Sequence, residues 1–438
     1  MTRWRRTLNL ALPIVGGMVS QNVMNLVDTA MLGTLGTTAL ASVGLAQFTA
    51  FTCGAFVIGL ATGVQATSAR WFGAGRSEEI AIPLNGGLLL VLVFGIPTSI
   101  ALAYLAPFFF PLLTADPDVA SSGTVYLQAR LVGLVALGTN FVFRGYWNAV
   151  DRSKFYMRTI ILMNVTNIIL NWALIFGNLG FPAMGVRGAG IGTTIALYVG
   201  AIAYLLTAVR YARIGGFLAR LPDWDTLLTL LRISVPAGVQ HFFFAGGMMV
   251  FFWILGNIGT AELAAGHVLS HLLLLWLLIT NGFGLAAASF VGHALGSGNV
   301  VEARSWGWYV MAFAMCLVGA SALPAVFFPD AFLMLFLQDP AVLMLARLPL
   351  QLTAGTMAVE ALGVVLMNAH LGAGHSHRVM VISLAMQWCL FLPVAFVLQS
   401  MWGFGLLVIW GANIVYRSLQ AMLFLWSWYN GRWAQVKV

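Results

Sequence analysis

Apolar residues recur along this chain in nearly uncharged blocks of about 20 to 28, each long enough to cross a hydrocarbon core of roughly 30 Å as a helix. Lipid offers no partner to an unpaired backbone N–H, so only helices and closed barrels cross it. Runs such as Leu272–Ile279 are apolar on every face and lack the alternation of a barrel strand. Of the 438 residues, 61% are hydrophobic and 8% charged. A soluble domain carries roughly 25% charged residues, so this chain cannot cover a water-facing surface. The arginine-bearing start, Met1–Arg6, leads into a segment too long for a signal peptide, and no cleavable signal is expected. Cys53, Cys316 and Cys389 fall in apolar stretches and read as small core residues.

Twelve spans follow, at approximately 8–33, 44–70, 83–111, 121–147, 158–178, 188–211, 230–256, 262–291, 304–328, 344–369, 379–400 and 404–428. Cations gather at the first end and after spans two (Arg70, Arg76), four (Arg152, Lys154, Arg158) and six (Arg210, Arg213, Arg220). Arg432 and Lys437 add to them at the far end. The opposite connections carry Asp116, Asp118, Asp330 and Asp339, with only Arg187 and Arg347 against them. The positive-inside rule puts both termini in the cytoplasm, as an even span count requires. The net charge of +8 is therefore a topology signal, and no nucleic-acid partner is expected. A multi-pass protein of the bacterial cytoplasmic (inner) membrane, monomeric and in contact with lipid, is the expectation.

Sliding the chain against itself by 223 residues pairs Pro13 with Pro236, Gly33 with Gly256, and Gly36-Thr37 with Gly259-Thr260. Gly59 then meets Gly282, Gly73 and Gly75 meet Gly296 and Gly298, and Glu79 meets Glu302. The matches concentrate where backbone geometry limits the choice of residue. A repeat of six spans keeps its direction through the membrane, so the copies form a parallel pair with substrate sites expected between them. The fold class is thus all-α and integral to the membrane, with twelve transmembrane helices in two pseudo-symmetric six-helix lobes around a central cleft. The lobes are read as residues 1–212 and 229–438, joined by a cytoplasmic connector at 213–228.

LVDTAMLGTLGTTALASVGLA at Leu26–Ala46 resembles the first-helix signature of the multidrug and toxic compound extrusion (MATE) family. GVQATSARWFGAG (Gly63–Gly75), NVTNIILNWALIFG (Asn164–Gly177), MGVRGAGIGT (Met184–Thr193) and ASFVGHALGSGNVVEA (Ala288–Ala303) carry the likeness across nearly the whole chain. The resemblance implies an antiporter that expels amphipathic, often cationic, organic compounds by alternating access in exchange for H+, with Na+ as the other candidate ion. No cofactor is implied. It also implies that Asp28 in the first span works with Asn167 and Asn171 of the fifth. Some relatives have a second carboxylate where this chain has Asn171. Others hold a cation between carboxylates on spans seven and ten, of which this chain keeps only Glu360. A lipid-linked oligosaccharide flippase of the same superfamily is the alternative reading; its cavities favour cationic residues and it often has extra helices.

The residues themselves point to the same place. Asp28 lies some twenty residues into a span, where a charge costs roughly 2.5 to 3.5 kcal/mol on insertion scales. A carboxylate removed from water there is suited to taking and releasing a proton, against the plainer reading of a hydrogen-bonded structural aspartate. Asn164, Asn167 and Asn171 are spaced by three and four, so one helix face carries all three amides, as a polar network for Asp28 or as inter-helix glue. Glu360 and Arg417 are both deep enough to need partners, either each other or a second coupling ion or cationic substrate. Arg130 and Arg144 are expected to snorkel toward opposite surfaces. His241, Phe244, Gln47 and Gln65 are candidates for lining a substrate cleft by stacking and hydrogen bonding. His267 and His271 have two-ligand metal spacing without a third ligand, and His370, His375 and His377 read as a loop run; neither supports a metal site. No nucleotide loop or catalytic constellation is present, so no enzyme is read from the chain.

Overall fold

A computed structural model describes residues 2–337 and 339–436, all helices, turns and loops with no strand. Lys437 lies outside the described residues. The first half runs α1 (Arg3–Gly33), α2 (Thr37–Gly73), α3 (Ile82–Phe109), α4 (Pro117–Val132), α5 (Leu134–Ala149), α6 (Ser153–Phe176) and α7 (Gly185–Tyr211). The second runs α8 (Trp224–Gly256), α9 (Thr260–Gly296), α10 (Val300–Phe327), the short α11 (Pro329–Leu333) and α12 (Pro340–Gly372). It ends with α13 (Ser376–Leu384), a π-helical turn at Ala385–Phe391, α14 (Leu392–Ser400) and α15 (Leu406–Tyr429).

Among the described residues, eleven spans are long and apolar enough to cross a membrane, and the pair α4–α5, bent by 51°, makes the twelfth when taken as one. The internal repeat is visible in the elements. α2 and α9 begin and end 223 residues apart, and α1 and α8 stop at Gly33 and Gly256. The turns that follow α2 and α9 pass through Gly75 and Gly298 at φ 72° and 75°, a left-handed conformation that glycine adopts without steric penalty.

The bend in the fourth span falls at Gly133, with no proline to announce it. A break inside a bilayer frees backbone carbonyls, which need donors from neighbouring helices. Ser99 Oγ donates to the Leu131 carbonyl at 2.7 Å, Thr194 Oγ1 to Ala129 at 2.7 Å, and the Tyr198 hydroxyl to Val132 at 2.9 Å. Three hydroxyls from α3 and α7 therefore hold the kink.

By internal contacts the chain forms two compact units, Leu12–Phe242 and Phe243–Val438 together with Met1–Ala11. The segment after α7 belongs to the first unit. Gly215 accepts from the Ala81 N–H at 2.8 Å, and the Asn85 amide donates to the carbonyls of Gly216 (2.9 Å) and Arg220 (2.8 Å). Beneath it Phe143 stacks on Tyr204 at 5.3 Å, and Trp147 and Phe217 are buried. In the other unit α12 packs against α9, α10 and α15. The first turns of α1 join that unit, with Arg3 donating to Ser305 Oγ at 2.7 Å and its guanidinium 5.2 Å from the Trp306 ring.

Two expectations need correction. His370 is not in a loop: it lies in α12, fully buried, with Nδ1 2.8 Å from the Leu366 carbonyl and Nε2 3.0 Å from Ser427 Oγ. The helix runs on because residues 366–372 continue its packing against α9 and α15. Neither Arg130 nor Arg144 reaches clear of the bundle. Arg144 hydrogen-bonds to Tyr156 and lies 4.3 Å from the Phe141 ring, while Nε and Nη1 of Arg130 are shielded from solvent.

Candidate functional site

Asp28 sits on α1, five residues before its end, and is 4% exposed. Asn171 of α6 donates from Nδ2 to Asp28 Oδ1 at 2.8 Å. One turn earlier Asn167 stands between Asp28 and Thr193 of α7. With Nδ2 turned to the carboxylate it donates to Oδ1 at 2.9 Å and Oδ2 at 3.2 Å, and its oxygen takes the Thr193 hydroxyl at 3.0 Å. With its oxygen turned to the carboxyl instead, it accepts from Asn171 Nδ2 at 3.2 Å and donates to Thr193 Oγ1 at 3.0 Å. The two settings differ by a half-turn of the Asn167 amide, which exchanges its nitrogen and oxygen between the carboxylate and Thr193.

α7 supplies the room for this. Gly188 and Gly192, one turn apart, face α6, and a Cβ at Gly192 would come within 2.2 Å of Asn171 Oδ1. Asn164 completes the ladder as its spacing implies, but it donates to Ser20 Oγ at 2.7 Å and not to Asp28. Gln47 of α2 donates toward the Tyr126 hydroxyl at 3.5 Å, and Tyr126 is in turn within electrostatic reach of Asp28 and of Arg130. Gln65 is buried within α2.

In the other unit Arg417 of α15 pairs with Glu360 of α12 in a short contact, beside a cavity lined by Thr353, Thr356, Trp410 and Asn413. Trp410 Nε1 donates to Thr353 Oγ1 at 2.8 Å, so the rim of that cavity is itself hydrogen-bonded. His241 lies in the first unit within electrostatic reach of Arg144, whereas Phe244 lies in the second, its carbonyl accepting from Gln387 Nε2 at 3.4 Å. His267 stacks on Phe252 at 4.2 Å. Among the described residues no three His, Cys, Asp or Glu side chains converge as a metal site.

Sequence reasoning missed Thr193 and Tyr126 and set Arg130 aside. The signal for Thr193 was present in the glycines at 188 and 192, whose spacing of four marks a helix face built for close approach. Nothing within α4 itself pointed Tyr126 toward α1.

Two repeated six-span halves with an amide-held carboxylate inside the first define a membrane transporter. The MatE family model matches residues 13–173 and again 236–397, beginning at Pro13 and Pro236 and so repeating the 223-residue offset. The chain belongs to the MatE family, that of the MATE transporters. It is 29% identical to a probable multidrug resistance protein NorM of Thermotoga maritima, over 98% of this chain and 93% of that protein. It is 25% identical to the multidrug resistance protein NorM of Photobacterium profundum, over 90% and 87%. Among solved structures, an outward-facing multidrug resistance MATE family transporter of the MOP superfamily shares the fold with a TM-score of 0.90 at 21% identity, covering 99% of this chain and 96% of that one. A MOP superfamily transporter from Pyrococcus furiosus does so at 0.89 and 20%, with the same coverage.

Proposed function

We propose that this protein is a multidrug efflux antiporter of the cytoplasmic membrane, with both termini inside, that exports amphipathic, often cationic organic compounds in exchange for protons by alternating access. The observation that carries the reading is the contact of Asn171 and Asn167 with Asp28. A carboxylate held by neutral amides, with no cation in ion-pair contact, is free to change its charge during a cycle. Protonation turns one carboxyl oxygen from an acceptor into a donor. The Asn167 amide answers by presenting oxygen in place of nitrogen, and that exchange is passed to Thr193 on α7. A cationic substrate then loses its counter-charge in the first half and leaves. Deprotonation toward the cytoplasm resets the site. Proton coupling is preferred to sodium because a nitrogen, that of Asn171, faces Asp28 Oδ1, where a bound cation needs oxygen.

The test is ethidium efflux from proteoliposomes under an imposed proton or sodium gradient, with wild type and Asp28→Asn. Proton-driven efflux that disappears in the variant is expected. Sodium-driven efflux that survives in Asp28→Asn would move coupling out of the first half.

A further inference from the structure

Within the unit Leu12–Phe242, α7 ends on an exposed tyrosine held between two arginines. The Tyr211 ring packs on Phe155 of α6 with centroids 4.9 Å apart, and the guanidiniums of Arg210 and Arg152 lie 5.6 and 5.9 Å from its centre. Arg152 Nη1 also donates to the Tyr211 carbonyl at 3.5 Å, which ties the start of α6 to the end of α7. Arg213, also exposed, follows two residues on. None of the three is neutralised. Arg76 and Arg220 pair with Glu79, but among the described residues no carboxylate forms an ion pair with Arg152, Arg210 or Arg213. A structural arginine at a helix end would donate to the carbonyls left over there. At this end the carbonyls of Ala208 and Ala212 already accept from the N–H groups of Ala212 and Gly215.

The chain that leaves this cluster is apolar and turned outward. Ile214, Leu218, Leu221 and Trp224 are each at least 70% exposed, between the end of α7 and the first residue of α8. That exposure is built in, because Leu218 sits at φ 57°, a left-handed conformation that a branched side chain adopts under strain. Its N–H donates to Asn85 Oδ1 at 3.1 Å, while Asn85 Nδ2 holds the carbonyls of Gly216 and Arg220, so α3 clamps the segment from both sides. A segment with basic and apolar side chains exposed together lies in a membrane interface, where tryptophan also gathers. Basic side chains at the ends of transmembrane helices attract anionic headgroups, and a guanidinium fork fits a phosphate.

We propose that Arg152, Arg210 and Arg213 form a binding site for the phosphate of an anionic phospholipid, whose acyl chains lie along the exposed apolar residues of the 213–224 connector. The occupant is a lipid and not a free phosphate, because the apolar side chains beside the cations gain nothing from a ligand without chains. A phosphatidylglycerol headgroup keeps its full negative charge for the guanidiniums, whereas the phosphate of phosphatidylcholine is offset by its own choline. The site stands apart from Asp28, and the inference is independent of the efflux reading.

Native mass spectrometry of the purified full chain in detergent, titrated with dioleoylphosphatidylglycerol or dioleoylphosphatidylcholine, gives the affinity for the first molecule of each lipid bound. Wild type is expected to bind phosphatidylglycerol about tenfold more tightly, a difference of roughly 1.4 kcal/mol. The triple variant Arg152→Gln, Arg210→Gln, Arg213→Gln is expected to erase that preference by weakening phosphatidylglycerol alone, with phosphatidylcholine binding unchanged as proof that it is folded. Arg187→Gln, at the other end of α7, is expected to keep the preference in full. Ile214→Ser combined with Leu221→Ser leaves the cations in place and is expected to weaken both lipids. Glycerol phosphate, the headgroup chemistry without chains, is expected not to displace phosphatidylglycerol at equal concentration. A wild type without preference overturns the proposal, as does a preference that the triple variant keeps. Displacement by glycerol phosphate overturns it as well, since the site would then take a soluble phosphate.

Discussion

Asn171 Nδ2 lies 2.8 Å from Asp28 Oδ1, a hydrogen bond that joins α6 to α1 across 143 residues of sequence. It is possible only because Gly192 of α7 has no side chain, since a Cβ there would overlap the Asn171 oxygen. The contact between Asp28 and Asn171 thus depends on a residue with no functional group at all.

The first prediction separates the members of the amide ladder. Asn171→Leu keeps the branched outline of the side chain and removes the donor, which costs about 1.5 to 3 kcal/mol when the acceptor is charged. Proton-driven efflux in proteoliposomes is expected to fall about tenfold or more, the rate equivalent of roughly 1.4 kcal/mol. Asn164→Ala is expected to leave efflux within about twofold, because its amide bonds to Ser20 and not to Asp28. Equal losses in the two variants would mean that the ladder acts as helix glue.

How much of this was legible in the sequence differs from element to element. Span positions were, because each is a long apolar run and the breaks between them carry glycine, proline or charge. The repeat was, because its matched positions are glycines and prolines fixed by backbone geometry. Asp28 and the three asparagines were also legible, since helical periodicity on a single helix puts the amides on one face. What periodicity cannot show is a contact between helices. Tyr126, Thr193 and Arg130 reach the site only through the packing of α4 and α7, and the kink at Gly133 falls inside a span with no proline to mark it. The string His370–His377 looks like a loop for the opposite reason: its glycines and polar residues suggest one, while burial of His370 against Ser427 extends the helix through its first turn.

The kink makes a second prediction. Ser99→Ala, Thr194→Val and Tyr198→Phe each remove one hydroxyl donor from a carbonyl at the break in α4–α5. Interhelical hydrogen bonds in membranes average about 0.6 kcal/mol, with a maximum near 1.7. Each variant is therefore expected to lower the thermal unfolding midpoint slightly, and the triple variant to lower it by about the sum. Thr207→Val, whose hydroxyl bonds within its own helix to the Ala203 carbonyl at 2.7 Å, is the control that should change nothing. Additive losses absent from the control are the expected pattern, and a triple variant as stable as wild type would show that the kink needs no hydroxyls.

A third prediction concerns the start of α8. Asp223 precedes the helix and accepts from the Thr226 N–H at 3.1 Å, and its bonds to the Thr226 hydroxyl and N–H hold its carboxyl below the ordinary carboxylate range. A depressed folded-state value means that the capping contribution is present above the ordinary pKa of about 4 and is lost as pH falls through the depressed value. Asp223→Ala should therefore cost about 1 kcal/mol at neutral pH and progressively less below about pH 4. Thermal unfolding of both proteins across that range checks the sign. A deficit that grows toward acid would contradict it.

The Glu360–Arg417 pair yields the last prediction, and it decides between the two roles that the sequence left open. The pair is a direct contact between α12 and α15, with both side chains mostly buried. Removing one partner from such a pair strands the other charge and costs about 3 to 5 kcal/mol, whereas replacing both by apolar residues of similar volume is often neutral or stabilising. Glu360→Gln alone should thus lower the unfolding midpoint sharply, and Glu360→Leu combined with Arg417→Leu should recover most of the loss. If the pair only neutralises two helices, the double variant keeps proton-driven ethidium efflux close to wild type while Asp28→Asn abolishes it. If the double variant is stable and yet as inactive as Asp28→Asn, then Glu360 takes part in coupling, and the second half holds an ion-exchanging site beside the cavity at Trp410 and Asn413.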